Sequence, residues 1–310
     1  MTVVVFGGGA VGSLFAARLA AGGVRVCLVA RPEHVAAIRA HGLRVEGEGA
    51  GTTWPEATTS LDPSTAAEAV LVTVKTFDLP KAMSAVGHGV RPAPTLLPQN
   101  GIGFEAEAVR ALAAAGWTET EGYVVRAVHS VPATWLRPGV VRAAGSGEVV
   151  LPSPTERPRL ARAIDRFAAL FAAARIPVRL AVDFDREVWR KLLVNAAINP
   201  VTAAHGVVNG RLRDGPLRAE AERLLAEALA VALAVGVDVS AREAEDDLDR
   251  VLRATAENRS SMLQDVDRGR ATEIDAISGE IVRLAEHAGV AVPATRAALR
   301  RLSSRPRPPV

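Results

Sequence analysis

The stretch that most narrows the possible folds is the first 31 residues. Thr2-Val3-Val4-Val5-Phe6 is a β-branched apolar run, and it leads directly into Gly7-Gly8-Gly9-Ala10-Val11-Gly12. A helical pattern follows to Ala21, then a Gly22-Gly23 break and a second apolar run, Val24–Val29. β-Branched side chains favour strands. Glycines between a strand and a helix permit a tight turn, close approach of a ligand to backbone, and tight helix-on-strand packing. Gly-x-Gly-x-x-Gly alone is a weak signal. A strand before it, a helix after it and a second strand beyond are the context that a dinucleotide-binding unit requires. The expectation is that Gly7, Gly8, Gly9, Ala10, Val11 and Gly12 hold a pyrophosphate at the helix N-terminus, where backbone N–H groups and the helix dipole favour an anion.

The end of the second strand selects the cofactor. An acidic residue there holds the ribose hydroxyls of NAD, whereas an arginine accommodates the 2′-phosphate of NADP. The chain reads Val29-Ala30-Arg31, which points to NADP(H), with Arg31 as a charge-assisted partner for the phosphate. The plainer alternative for Arg31 is an ordinary surface arginine in an Arg-rich chain.

Beyond this unit, apolar strand-like runs alternate with helical patterns as far as Val178–Val182. They include Ala69–Val74, Thr95–Leu97, Val124–Val131, Val140–Arg142 and Val149–Leu151, with helices over 32–42, 104–115 and 159–174. That alternation predicts an α/β domain with a Rossmann-type, doubly wound sheet. After Asp183 only helical patterns remain, over 184–199, 217–235, 241–256, 258–267, 273–288 and 294–302. Two domains are expected: residues 1–183 for NADP and residues 184–310, all-helical, for substrate and catalysis.

Composition removes other classes. Hydrophobic content of 49% with 4% aromatics implies an Ala/Val/Leu core. The net charge of +3 is too small for a nucleic-acid footprint. Residues 1–183 carry 18 Lys+Arg against 15 Asp+Glu and residues 184–310 carry 19 of each, so the small excess lies with the proposed cofactor domain. The one cysteine, Cys27, reads as a core residue and excludes a disulfide framework or a Cys-based zinc site. The six histidines show no metal-type spacing, so no metal is expected. No run approaches the ~18 apolar residues of a membrane span, and no leader pattern precedes Thr2. A cytoplasmic protein, monomer or homodimer, with no nucleic-acid or membrane partner is the expectation. The tail Ser303–Pro309 is expected to be disordered.

The strongest polar pattern lies in the second domain. The chain has three lysines against 34 arginines. One of the three, Lys191, stands with Asn195 and Asn199 at i, i+4, i+8 in an otherwise apolar segment. These positions share one helix face. Buried polar groups are costly unless paired, so the stripe is expected to face a ligand or a polar network. Lysine can give up its proton where arginine cannot. The alternative is a surface lysine with two helix-interior amides. Downstream, Asn258, Ser261 and Asp265 share a face of the expected helix 258–267. Thr272 can cap the next helix with Asp275 at the capping-box position, leaving Glu273 in its first turn.

Together these motifs resemble the ketopantoate reductase family. The residues that carry the resemblance are the glycine fingerprint, Arg31, Val74-Lys75-Thr76, Asn100-Gly101, Lys191-x-x-x-Asn195-x-x-x-Asn199, Asn209-Gly210, Ser260-Ser261-Met262-Leu263-Gln264-Asp265 and Gly269-Arg270-x-Thr272-Glu273-Ile274-Asp275. Four of the five asparagines, all but Asn258, fall at these positions. The resemblance implies NADPH-dependent reduction of 2-dehydropantoate, a small 2-keto acid, to pantoate in the route to pantothenate and coenzyme A. It implies Lys191 and Glu273 as catalytic residues. It implies Asn100, Asn195, Asn199, Asn209, Asn258 and Ser261 at the substrate. Lys75, Asn100, Ala133 and Glu273 join the fingerprint and Arg31 at the cofactor. The bulkier stretch Arg126–Trp135 and Ala143 depart from the family pattern. A reductase of another 2-keto acid, or an NADP-sensing regulator without turnover, are the alternatives.

Overall fold

The computed structural model describes residues 2–63 and 65–303. The Pro-rich segment from Ser304 onward, expected to be disordered, lies outside them. The chain separates into two compact units. One comprises residues 1–99 and 104–184, the other residues 100–103 and 185–310. A single boundary at 183 therefore does not account for Asn100–Gly103, which packs with the second unit.

The first unit is built on six parallel strands in the order Glu56–Thr58, Arg25–Val29, Thr2–Phe6, Ala67–Val72, Thr95–Leu97, Val124–Arg126. Alternate side chains feed two cores. Val3, Val5, Leu28 and Leu71 join helices Ala10–Ala21 and Ala161–Ala173 on one face. Val4, Val29, Val70 and Val72 join helices Leu79–Gly89 and Glu105–Ala114 on the other. Burial on both faces explains why these strands read as continuous apolar runs. Cys27 lies in the second of these cores, and burial with nearby Glu56 pushes its thiol up to about 11.

Two smaller sheets complete the unit. One has the order Ala133–Arg137, Val140–Ala143, Leu43–Gly47, Gly51–Thr53, and the other Val178–Ala181, Val149–Pro152, Val128–His129. The expected strand Val124–Val131 is therefore two strands in different sheets. The chain changes sheet at Ala127, whose N–H bonds Leu97 O at 3.0 Å, and an unbroken apolar run carries no local mark of such a switch. Helix Leu79–Gly89 was hidden by Pro80, Gly87 and Gly89. Pro80 sits in the first turn, where its missing N–H is harmless. A Cβ on Gly87 would stand 2.4 Å from Ala115 Cβ, so the glycine permits close helix packing.

The second unit is helical: Phe184–His205, Gly215–Ala234, Ala241–Ala254, Ser261–Asp267, Glu280–Ala288 and Pro293–Ser303. No helix among the described residues is long and apolar enough to cross a membrane. The first helix was expected to end at Asn199 and instead runs through Pro200 to His205. A mid-helix proline costs about 3 kcal/mol. Full burial of Val201 and Ala203 in the second core offsets that, at roughly 1.5–3 kcal/mol for a side chain the size of valine. Helix Ala241–Ala254 starts with a full capping box, Ser240 and Glu243. It is tied to the first helix by a two-pronged Arg190–Asp247 pair, both bonds 2.8 Å.

Candidate active site

In the first unit each fingerprint glycine has a separate physical reason. Gly7 has φ +120°, and a Cβ there would lie 2.9 Å from Val74 N. A Cβ on Gly12 would lie 2.0 Å from Gly7 O, so only glycine lets helix Ala10–Ala21 press onto the strand end. A Cβ on Gly8 would lie 2.4 Å from Ala30 Cβ, which seats the turn on the end of the second strand. Gly9 has nothing within 4 Å. It is the N-cap of the helix, and no side chain caps it. Gly9 is exposed, and the N–H groups of Ala10 and Val11 lie in the first turn, where no intrahelical carbonyl is available to them, an arrangement that fits a phosphate.

The surroundings hold this turn in place. Gly7 N–H donates to Val29 O at 3.0 Å. Thr73 Oγ1 donates to Gly7 O at 2.8 Å. Gln99, buried, donates from Nε2 to Val72 O at 2.7 Å and to Val74 O at 3.1 Å, which sets the chain leading to Lys75. Neither Thr73 nor Gln99 was singled out as a site residue. Their signal was position: both follow strand ends at the carboxyl edge of the sheet, where α/β folds bind ligands. Arg31 is exposed and is the N-cap residue of helix Pro32–His41. Lys75 is half-buried before the short turn Thr76–Asp78. Ala133 begins the strand Ala133–Arg137, opposite Ala143, in the four-stranded sheet.

In the second unit Lys191, Asn195 and Asn199 stack on one face of helix Phe184–His205. Lys191 and Asn195 are half-buried and Asn199 is 5% exposed. Asn199, Ser261 and Glu273 line a small concavity together with Met262, Asp265 and Ile277. Asn100 joins them, because its Nδ2 donates to Glu273 Oε2 at 3.2 Å. Its turn is held by Ile102 N–H donating to Ala276 O at 3.2 Å. Ala276 lies in a π-helical turn, Asp275–Gly279. Such turns recur at functional sites.

Three local expectations are corrected. Asn258 is not on a helix with Ser261 and Asp265: Ser260 caps the helix Ser261–Asp267 by accepting from Leu263 N at 3.1 Å, and Asn258 is exposed before it. Ser260 Oγ also bonds Thr202 Oγ1 at 2.7 Å, which fastens this segment to the helix of Lys191. The expected helix 273–288 opens as the π-turn, with Thr272 Oγ1 accepting from Ile274 N at 3.4 Å. Glu273 stands just before the helical turns and is buried.

Asn209 and Asn258 form a second group. Asn209 N–H donates to Asn258 O and its Nδ2 to Thr255 Oγ1, both at 2.9 Å. Asn209 Oδ1 is buried with no hydrogen-bond partner among the described residues.

The sequence model described as ketopantoate reductase PanE/ApbA matches residues 3–156, and its C-terminal counterpart matches residues 183–305. A 2-dehydropantoate 2-reductase of Halobacterium salinarum is 36% identical over 303 residues, 96% of each chain. One from Pyrococcus abyssi is 32% identical over 94% of each. Among solved structures, a PanE/ApbA family ketopantoate reductase from Ralstonia eutropha JMP134 is 33% identical with TM-score 0.83, covering 98% of this chain and 97% of that one. A ternary structure of D-mandelate dehydrogenase with NADH and anilino(oxo)acetate reaches TM-score 0.88 at 21% identity, over 98% and 97% of the two chains, a likeness of fold alone.

Proposed function

We infer the reaction from one premise: the chain belongs to the ketopantoate reductase family. It is an oxidoreductase that reduces 2-dehydropantoate to pantoate with a nicotinamide cofactor. The observation that carries the reading is the meeting of Asn100, Asn199, Ser261 and Glu273 in the second unit, with Lys191 on the same helix face as Asn199.

The finer reading is NADPH in preference to NADH, supported by exposed Arg31 and by the absence of an acid at Val29-Ala30-Arg31. Gly7 to Gly12, Arg31, Lys75, Asn100, Ala133 and Glu273 would hold the cofactor. When bound, it supplies a hydride to the carbonyl carbon of the keto acid. Negative charge then develops on the carbonyl oxygen. Lys191 Nζ stabilises that charge and delivers the proton that completes the hydroxyl, as a general acid. Asn195, Asn199, Asn209, Asn258 and Ser261 provide neutral donors and acceptors that orient carboxylate and hydroxyl groups without titrating. Glu273 holds the Asn100 carboxamide. The same reading has the enzyme working in the cytoplasm as a monomer or homodimer.

The test follows nicotinamide absorbance with purified protein, ketopantoate and either NADPH or NADH, and identifies pantoate by mass. Turnover only with a different 2-keto acid would move the substrate. Cofactor binding with no turnover on any keto acid would replace the enzyme with a sensor.

A further inference from the structure

His34 lies outside every role assigned so far, yet it is 2% exposed and touches the cofactor turn. Its ring is bonded on both nitrogens. Gly139 N–H donates to Nδ1 at 2.9 Å, and Nε2 lies 3.0 Å from Ser13 Oγ. A backbone N–H can only donate, so Nδ1 is an acceptor and Nε2 carries the proton, which points at the serine hydroxyl. Burial holds the imidazole below its ordinary pKa and so keeps it neutral, as this arrangement requires.

The partners come from different elements. Ser13, fully buried, is on the helix that opens at the glycine fingerprint. Gly139 is in the turn between strands Ala133–Arg137 and Val140–Ala143, and its carbonyl accepts from Arg44 N–H at 2.9 Å. The ring also abuts the fingerprint itself: a Cβ on Gly8 would lie 3.0 Å from His34 Cδ2. His34 sits one helical turn after Arg31, and its own N–H donates to Arg31 O at 3.0 Å. The imidazole thus joins three things: the fingerprint helix, the small sheet, and the helix whose N-cap is Arg31.

We propose that His34 is a positioning residue for cofactor choice: it clamps the helix start that carries Arg31 against the fingerprint turn, so that a 2′-phosphate finds the guanidinium already placed. This rests on the reading of Arg31 as the 2′-phosphate partner. The turn Gly7–Gly12 keeps anchors of its own, Gly7 N–H to Val29 O and Thr73 Oγ1 to Gly7 O, so the clamp bears more on the 2′-phosphate contact than on the shared pyrophosphate, a signature that general loosening lacks. Losing it weakens NADPH more than NADH.

The experiment measures dissociation constants for NADPH and NADH by fluorescence titration of the parent, Ser13→Ala and His34→Asn, with thermal unfolding as the folding control. Asparagine keeps an acceptor near the Nδ1 position and removes the bond to Ser13. Ser13→Ala removes the same bond with the ring intact and is the milder change. The expected result is an NADPH constant raised about tenfold, part of the value of a charge-assisted bond, with the NADH constant moved much less in both variants. Equal weakening of both cofactors, or a parent preference unchanged in size in both variants, overturns the proposal alone. A parent with no NADPH preference overturns the Arg31 reading and the proposal with it.

Discussion

The turn Gly7–Gly12 and the stripe Lys191, Asn195, Asn199 present polar groups in opposite ways. In the turn, the groups on offer are backbone N–H donors, and side chains matter mainly by being absent: Gly12 is pressed against Gly7 O, while Gly9 opens onto space. In the stripe the backbone is an ordinary helix, and all the chemistry is in three side chains one turn apart. A backbone site is written in local spacing and is spoiled by added atoms. A side-chain site depends on what other helices bring to it, here Glu273, Ser261 and the Asn100 turn, and is spoiled by removed or altered atoms.

The largest effect should come from the stripe. Lys191→Arg keeps the charge but holds its proton too tightly to give it up. It should fold and bind NADPH while losing roughly 10²–10⁴-fold in single-turnover hydride transfer, the usual size of a general-acid contribution. Lys191→Ala should lose at least as much. A near-parent rate in Lys191→Arg would mean that charge alone suffices.

The turn should answer differently at its two glycines. Gly12→Ala forces a Cβ into Gly7 O and should destabilise the fold by about 1–3 kcal/mol, as overpacking does, measurable as a lower denaturant midpoint. Gly9→Ala has room in this structure and should leave the midpoint unchanged while weakening NADPH binding. If Gly9→Ala binds NADPH as the parent does, the open space at Gly9 is not where the pyrophosphate lies.

Arg31→Ala should weaken NADPH by about 10–100-fold, from loss of one charge-assisted contact worth about 1.5–3 kcal/mol, with NADH changed little. Equal losses would make Arg31 a structural residue. Ser261→Ala should raise the Michaelis constant for the keto acid by about tenfold, in line with a lost hydrogen bond, with NADPH affinity retained. A collapse of cofactor binding instead would place Ser261 on the wrong ligand.

The smallest effect is in pH. Burial lowers the pKa of His34 in the folded state. Below about 6.5, the ordinary histidine value, the unfolded chain takes up a proton that the folded one resists. Stability should therefore be fully present above about 6.5 and fall as pH drops from there toward the lowered folded value. Thermal unfolding of the parent and His34→Asn across pH 5 to 8 checks this: the parent should show the steeper acid loss.

Much of the first unit was legible because its signals are local. The β-branched run, the glycine spacing and Arg31 each act on neighbours in the chain. Elements were missed where the local signal was ambiguous or misleading. Leu43–Gly47 has a clean in–out alternation but is only five residues long. Helix Leu79–Gly89 is punctuated by residues that ordinarily break helices. Helix Phe184–His205 continues past Pro200 because burial of its last turns outweighs a lost backbone bond.

The chain's own order of residues was enough to set an N-terminal dinucleotide-type turn, a helical second half, and a lysine–amide stripe on one helix face, since φ preferences and the 3.6-residue repeat operate over a few residues. It could not decide which of two adjacent serines caps a helix and which faces a concavity, that Asn100–Gly103, between the strand Thr95–Leu97 and the helix Glu105–Ala114, would bond Glu273 and Ala276, or that a histidine would tie the glycine turn to the helix of Arg31. The last two outcomes join residues between 21 and 174 positions apart (Ser13 to His34, Ile102 to Ala276). They depend on which groups burial forces together and on where each buried donor finds its acceptor, and only the packed tertiary structure determines that.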